Sequence, residues 1–320
     1  MSGGLVHERV RGGSLEHYCR FAWGVLAWNV LVVLWGAYVR ASGAGAGCGS
    51  HWPLCNGEIV PRAPRIETVI EFTHRVTSGL ALLSVAVLAL WAWRLFPSGT
   101  KARKFALLSV VFILIEALLG AGLVLLRYVE KNASIGRAFY LAAHLANTQF
   151  LLAVIALAGW YAARPPRTGL YRPLLVRLVL PVVLLVSISG AVAALGDTLF
   201  PATSFAEGVR QEMSSTAHIL LRLRVVHPAL AIAGAFVVMA AAIASKRTRR
   251  APVVDMLAGV AIALALLQLI AGGVNVVLLA PIWMQILHLL LADVLWVVLV
   301  LLVAEGYRTA DANHHRAVSH

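Results

Sequence analysis

The chain has 320 residues, 60% of them hydrophobic and only 13% charged, and it carries a formal net charge of +13. A soluble domain holds about a quarter charged residues, so the composition excludes a soluble enzyme and points to a polytopic membrane protein. The positive charge is no nucleic-acid footprint, because Lys and Arg are spread over short segments between apolar runs and do not gather on one face.

A spanning helix needs roughly 20 apolar residues. Such runs fall at 21–40, 68–94, 104–126, 137–162, 173–196, 217–244, 253–279 and 282–304. They predict an all-α protein with eight transmembrane helices. Residues 1–20 are polar and read as a tail. The first run lacks a small-residue cleavage site, so it reads as a retained helix and not as a signal peptide. A Gly-rich loop with Cys48, His51 and Cys55 follows it. Pro97, Lys101, Arg103 and Lys104 separate the second run from the third, and Pro165–Pro166 mark a linker at 164–172. After the fifth run, Phe205, Val209 and Met213 recur at four-residue spacing within Ser204 to Ala217, which predicts a short interfacial helix. Lys246 to Arg250 precede the seventh run. Residues 305–320 read as a second tail, with His314 and His315 solvated.

Loop charge sets the orientation. Most of the 27 Lys and Arg fall on the side shared by the two tails, among them Arg94, Lys101, Arg164, Arg177 and Lys246. Both termini are therefore expected in the cytoplasm of a plasma-membrane protein. The loop of Cys48 and Cys55 and the segment 197–216 are expected outside. Cys19 falls on the reducing side.

The two halves echo each other. GAYVRASGAG at 36–45 is matched by GAVAALGDTL at 190–199, and Glu116 to Leu126 by Gln268 to Leu278. Two four-helix units, 21–163 and 173–304, joined by the linker, account for this. An even number of helices in each gives both the same orientation, a parallel repeat.

Four histidines lie inside the apolar runs: His74, His144, His227 and His288. Ionisable residues in hydrocarbon are costly and indicate function. His74 and His227 are separated by nearly the same interval as His144 and His288, so the four form one pair in each half. All four lie about 10–15 Å below the outer helix ends at 1.5 Å per residue. One imidazole on each of two facing helices suits a metal-centred cofactor held in a bundle core, most simply a heme in each half.

Glu71 precedes His74 by three residues and shares its helical face. The same position before His227 is Arg224. A carboxylate one turn from a ligand moves protons or stabilises positive charge, so the first half reads as catalytic and the second as a redox site. The alternative role for Glu71 is an ion pair with Arg75, its i+4 neighbour. Arg75, Arg222 and Arg224 are candidates to clamp propionates or to snorkel to the interface. Glu116 and its counterpart Gln268 are candidates for a proton path or for a polar contact between helices. Outside the membrane, Cys48 and Cys55 favour a disulfide, either as a staple or as a redox-active pair.

GAYVRASGAGAGC followed by HWPLC, EFTHR, AAHL, VVHP and ILHL resembles the heme A synthase family over nearly the whole chain. The resemblance implies conversion of heme O to heme A for terminal oxidases. The C8 methyl would become a formyl group by two hydroxylations and loss of water. It further implies that His74 and His144 bind the substrate heme O, that Glu71 is the catalytic carboxylate, that His227 and His288 ligate heme b, and that Cys48 and Cys55 are the outer disulfide. Expected partners are a heme O synthase, a thiol–disulfide or quinone electron partner and the lipid bilayer, with a homo-oligomer open. A diheme b-type electron-transfer protein working with quinone, or a heme carrier without chemistry, shares the histidine pairs but needs no Glu71.

Overall fold

The computed structural model describes residues 2–164, 174–248 and 251–306. The expected linker beyond Arg164, Arg249, Arg250 and the tail from residue 307 onward, with His314 and His315, lie outside the described residues. The helices are α1 (Ser2–Ala41), α2 (Ile66–Leu95), α3 (Lys101–Leu125), α4 (Ile135–Ala163), α5 (Leu174–Leu199), α6 (Phe205–Met213), α7 (Ile219–Thr248), α8 (Pro252–Val277) and α9 (Ile282–Gly306). No β-strand is present among the described residues.

Eight of these helices are long and apolar enough to cross a membrane. Where no water reaches the backbone, its N–H and C=O groups must pair within the segment, and a helix does this. Pro181 and Pro228 stand inside α5 and α7, as membrane helices allow where packing against neighbours compensates the freed carbonyl. Helix ends follow local chemistry. Ser134 caps α4 by accepting from the amide of Arg137 at 3.2 Å, and Pro252 opens α8, where the missing N–H costs nothing. The short helix α6 lies where the spacing of Phe205, Val209 and Met213 predicts it, and all three side chains are exposed.

The first helix differs from expectation. Residues 13–20 are helical and packed, not a loose tail. Tyr18 is fully buried and meets Trp91 and Phe96 edge-on, with ring centroids at 5.8 and 5.0 Å. Glu16 pairs with Arg20 at 2.6 Å one turn on. The polar residues hid a face on which Tyr18, Ala22 and Val25 fall at helical spacing, all buried.

Helices α1 to α4 pack on one another, with α1 against α2 and α4, and α3 against α2 and α4. Likewise α5 packs on α7 and α9, and α8 lies between α7 and α9. The two groups meet through α4, α9, α1 and α5. This seam is apolar apart from a few paired groups. Gln149 and Asp293, both without solvent exposure, meet across it, with Gln149 Nε2 donating to Asp293 Oδ1 at 3.0 Å. Trp296 Nε1 donates to the Gln149 carbonyl at 2.6 Å, and Trp160 Nε1 to Glu305 at 3.1 Å. Arg40, at the end of α1, donates to the Ala194 carbonyl and Thr198 of α5 and to Gln285 of α9 at 2.6–2.9 Å.

Candidate functional site

The four histidines occupy the second or third turn of α2, α4, α7 and α9. Each ring lies against a glycine of a neighbouring helix. A Cβ at Gly36 of α1 would stand 2.9 Å from Cε1 of His74, and one at Gly190 of α5 would stand 3.0 Å from Cε1 of His227. Gly120 of α3 faces His144 and Gly272 of α8 faces His288 at ordinary contact distance, 3.7 and 3.4 Å. At Gly36 and Gly190 any larger residue would push the imidazole aside.

The ring centroids of His227 and His288 are 6.4 Å apart. Two metal–nitrogen bonds of about 2 Å each, with the half-widths of both rings added, come to about 6 Å. The pair thus has room for one metal ion between its imidazoles. Ser189 stands 2.9 Å from His227 Nδ1 and donates its own proton to the Val186 carbonyl. Its oxygen is then an acceptor for Nδ1–H, which leaves the Nε2 lone pair free for a metal. Among the described residues no cluster of three or more His, Cys, Asp or Glu has metal-site form. Two imidazoles alone suit a metal whose remaining ligands come from a macrocycle.

In the first half, His144 Nδ1 lies 3.0 Å from Glu116 Oε1 of α3. Asn147 Nδ2 donates to the same carboxylate at 2.5 Å, and the Thr148 hydroxyl donates to it as well. The interhelical contact expected for Glu116 is therefore made, and its partner is a candidate ligand. Gln268 instead donates to the His288 carbonyl at 3.0 Å.

Cys48 and Cys55 form a disulfide, with Cα atoms 4.4 Å apart. Asn56 and Gly57, both at positive φ, turn the chain so that Cys55 N donates to the Glu58 carbonyl. The loop presses on the start of α2. A Cβ at Gly47 would overlap the backbone of Glu67 and Thr68, and the Thr68 hydroxyl donates to the Gly47 carbonyl at 2.7 Å. Beneath the loop lies Glu71, 3% exposed. Its Oε2 accepts from Cys48 N at 2.8 Å, and its Oε1 accepts from Arg75 Nε and Nη2 at 3.1 and 2.5 Å. The Nη1 of Arg75 donates to the carbonyls of His51 and Leu54, each at 2.7 Å. His51 is exposed, as expected of a loop histidine. Cys19 is free and half-buried.

Arg224 has a matching task in the second half. Its Nη1 donates to Asp197 at the end of α5 (3.0 Å) and its Nε to Glu212 of α6 (2.6 Å). Arg222 is exposed and donates to the Ser215 carbonyl at 2.7 Å. The three arginines named as candidates for propionates or for the interface are thus engaged with protein groups that hold the outer segments, and the alternative pairing of Arg75 with Glu71 is made. The glycines behind the imidazoles and the crossing by Arg40 escaped sequence reasoning. The first had a signal in the paired Gly36 and Gly190 of the two echoing segments.

Comparison with known proteins bears on this constellation. The cytochrome oxidase assembly protein family (COX15-CtaA) matches residues 19–300. A protoheme IX farnesyltransferase of Thermus thermophilus is 50% identical over 290 residues, 89% of this chain and 48% of the relative. The heme A synthase of Halalkalibacterium halodurans is 41% identical over 127 residues, 40% of this chain and 42% of the relative. That of Shouchella clausii is 44% identical over 95 residues, 30% of this chain and 32% of the relative. The chain spans about half the length, or less, of these relatives. With the match over most of its length and eight helices fit to cross a bilayer, the chain is a multi-pass membrane protein and belongs to the COX15-CtaA cytochrome oxidase assembly protein family.

Proposed function

We propose that the protein is a heme A synthase, oxidising the C8 methyl of heme O to a formyl group to give heme A for terminal oxidases. The observation that carries this reading is the set of four glycine-backed imidazoles in two pairs, one of which has a buried carboxylate a turn away. His74 and His144 would bind heme O, and His227 and His288 a heme b. The iron of such a heme, when bound, supplies one-electron chemistry.

The chain's own residues do the rest. Glu71 is held by Cys48 N and Arg75 as a fixed negative group beside His74. Such a preorganised charge stabilises positive charge developing on the substrate's methyl carbon without reorganising. Arg75 keeps the disulfide loop closed over it. At the second pair Ser189 fixes the tautomer of His227. The two four-helix units, the outward position of the disulfide loop, cytoplasmic termini and a plasma-membrane location belong to the same reading. So do a thiol–disulfide or quinone electron partner and a heme O supplier. The likeness to a protein named for protoheme IX farnesylation, of which this chain matches about half, supports a supplier that acts close by.

The test is a chromatographic profile of hemes O, hydroxylated O and A in membranes given heme O. Heme A formation by the wild type and its loss in His74→Ala and His144→Ala are expected. Heme O left unchanged by wild-type membranes that retain heme b would favour the electron-transfer or carrier readings.

A further inference from the structure

We propose that Glu116 is a positioning residue that sets the electron density of the His144 ligand and so distinguishes the first heme site from the second. The inference rests on the reading that His74 and His144 hold heme O.

Glu116 is surrounded by donors. Asn147 and Thr148 lie three and four residues after His144 on α4, so both reach the carboxylate from the helix that carries the ligand. Asn147 also donates to the Phe112 carbonyl at 2.9 Å, one turn before Glu116 on α3. These bonds fix the carboxylate in place. Oε1, which takes the Thr148 hydroxyl, also has His144 Nδ1 at 3.0 Å. An imidazole that donates Nδ1–H to a carboxylate keeps its Nε2 lone pair for a metal and becomes a more basic ligand. His144 Nε2 faces Gly120, where no side chain stands in the way.

None of the other three imidazoles has such a partner. His227 Nδ1 meets a neutral hydroxyl. Among the described residues, neither His74 nor His288 has a carboxylate within ion-pair distance, whereas His144 Nδ1 has Glu116 at 3.0 Å. Gln268, at the position that echoes Glu116, bonds the backbone of His288 and carries no charge. A more basic ligand favours the ferric over the ferrous state. The first site thus has the lower reduction potential, and an electron leaving a ferrous heme there falls in energy on reaching a ferric heme held by His227 and His288. The substitution of Glu for Gln between the two halves gives electron flow a direction, away from the heme that is to be oxidised.

The experiment is a spectroelectrochemical titration of the full-length protein loaded with heme O. The two sites are told apart by His144→Ala and His288→Ala. Glu116→Gln should raise the first-site midpoint potential and leave the second unchanged. Heme O affinity should fall by about tenfold or more, as for other losses behind a metal-ligating histidine. Thr148→Val removes a competing donor from the carboxylate, so its first-site potential should move the opposite way. Glu116→Asp should fall between wild type and Glu116→Gln. A Glu116→Gln protein that holds heme O at the wild-type potential overturns the proposal. So does Thr148→Val moving the potential in the same direction as Glu116→Gln, which is the readout should Glu116→Gln bind no heme. If His144→Ala leaves the heme O spectrum intact, the reading of the first site fails and the proposal with it.

Discussion

Each half of the chain carries two intramembrane histidines on the same kind of glycine backing, yet the halves cover and charge them differently. The first is closed by residues 42–65, tied by a disulfide and by Glu71, whose carboxylate bonds the loop directly and again through Arg75. The second is closed by α6, tied by Arg224 between Asp197 and Glu212. Below the covering, the first half has Glu116 on a ligand and the second has Gln268 on a backbone carbonyl. The proposed function accounts for both features: the backing would be shared because both sites hold imidazoles, and the charges would differ because one site holds the molecule to be changed while the other receives electrons.

The sharpest way to break this comparison is to remove ligands one half at a time. His227→Ala or His288→Ala should abolish most of the low-spin heme b spectrum while leaving heme O bound. His74→Ala should do the reverse. Loss of both hemes from any one substitution would mean that the halves are not separate sites. Next in size is Glu71→Gln, which keeps an acceptor for Cys48 N but removes the charge. Heme A output should fall by about a hundredfold or more, with heme b content as the control for folding. Wild-type output would reduce Glu71 to a clamp for the loop.

A smaller effect tests what the halves share. Gly36→Ala and Gly190→Ala each place a methyl within about 3 Å of an imidazole, and overpacking of this kind costs about 1–3 kcal/mol. Thermal unfolding should drop by similar amounts in both, each with a perturbed spectrum only of its own heme. Gly120→Ala and Gly272→Ala, with ordinary contact distances, should be milder. An equal loss in all four would argue that the glycines serve helix packing in general and not the imidazoles.

The eight spans and α6 were legible in the sequence because they rest on run length and residue spacing along one helix. The Glu71–Arg75 pair was legible as an i,i+4 contact, but the loop carbonyls that Arg75 also reaches and the partners of Arg224 were not. A guanidinium near the end of a helix looks alike whether it faces a ligand or a loop, and only the packing of α2 under the disulfide loop, or of α7 under α6, decides. The start of α1 was missed because hydropathy weighs the polar residues around Tyr18 and not the buried face they flank. The contact of Glu116 with His144 was half-legible. Its interior position was readable, but its partner depends on the rotation of α3 against α4. Gln149 and Asp293 show the same limit, since nothing along the chain says that two polar residues on distant helices meet at a buried seam.

The smallest expected effect separates the two coverings. Thr203 donates to Glu207 from both its amide and its hydroxyl, which holds this exposed carboxyl below the usual carboxylate range. Ser204 caps the same turn by accepting from Glu207 N at 3.2 Å. A carboxyl whose folded-state value is depressed contributes stability above its unfolded value and loses it as pH falls through the folded one. Hydrogen exchange along 205–213 should therefore stay slow from neutral pH down to the ordinary Glu range and quicken below it. The loop 42–65, closed by a covalent bond, should be little changed by the same acid step but should open on reduction, which leaves α6 as it was. Glu207→Gln should abolish the acid step in α6 at only a slight cost to the folded protein, because the group faces water and salt screens it. If the step persists in Glu207→Gln, the acid response belongs to the ion pairs of Arg224, and the first turn of α6 is held by Ser204 alone.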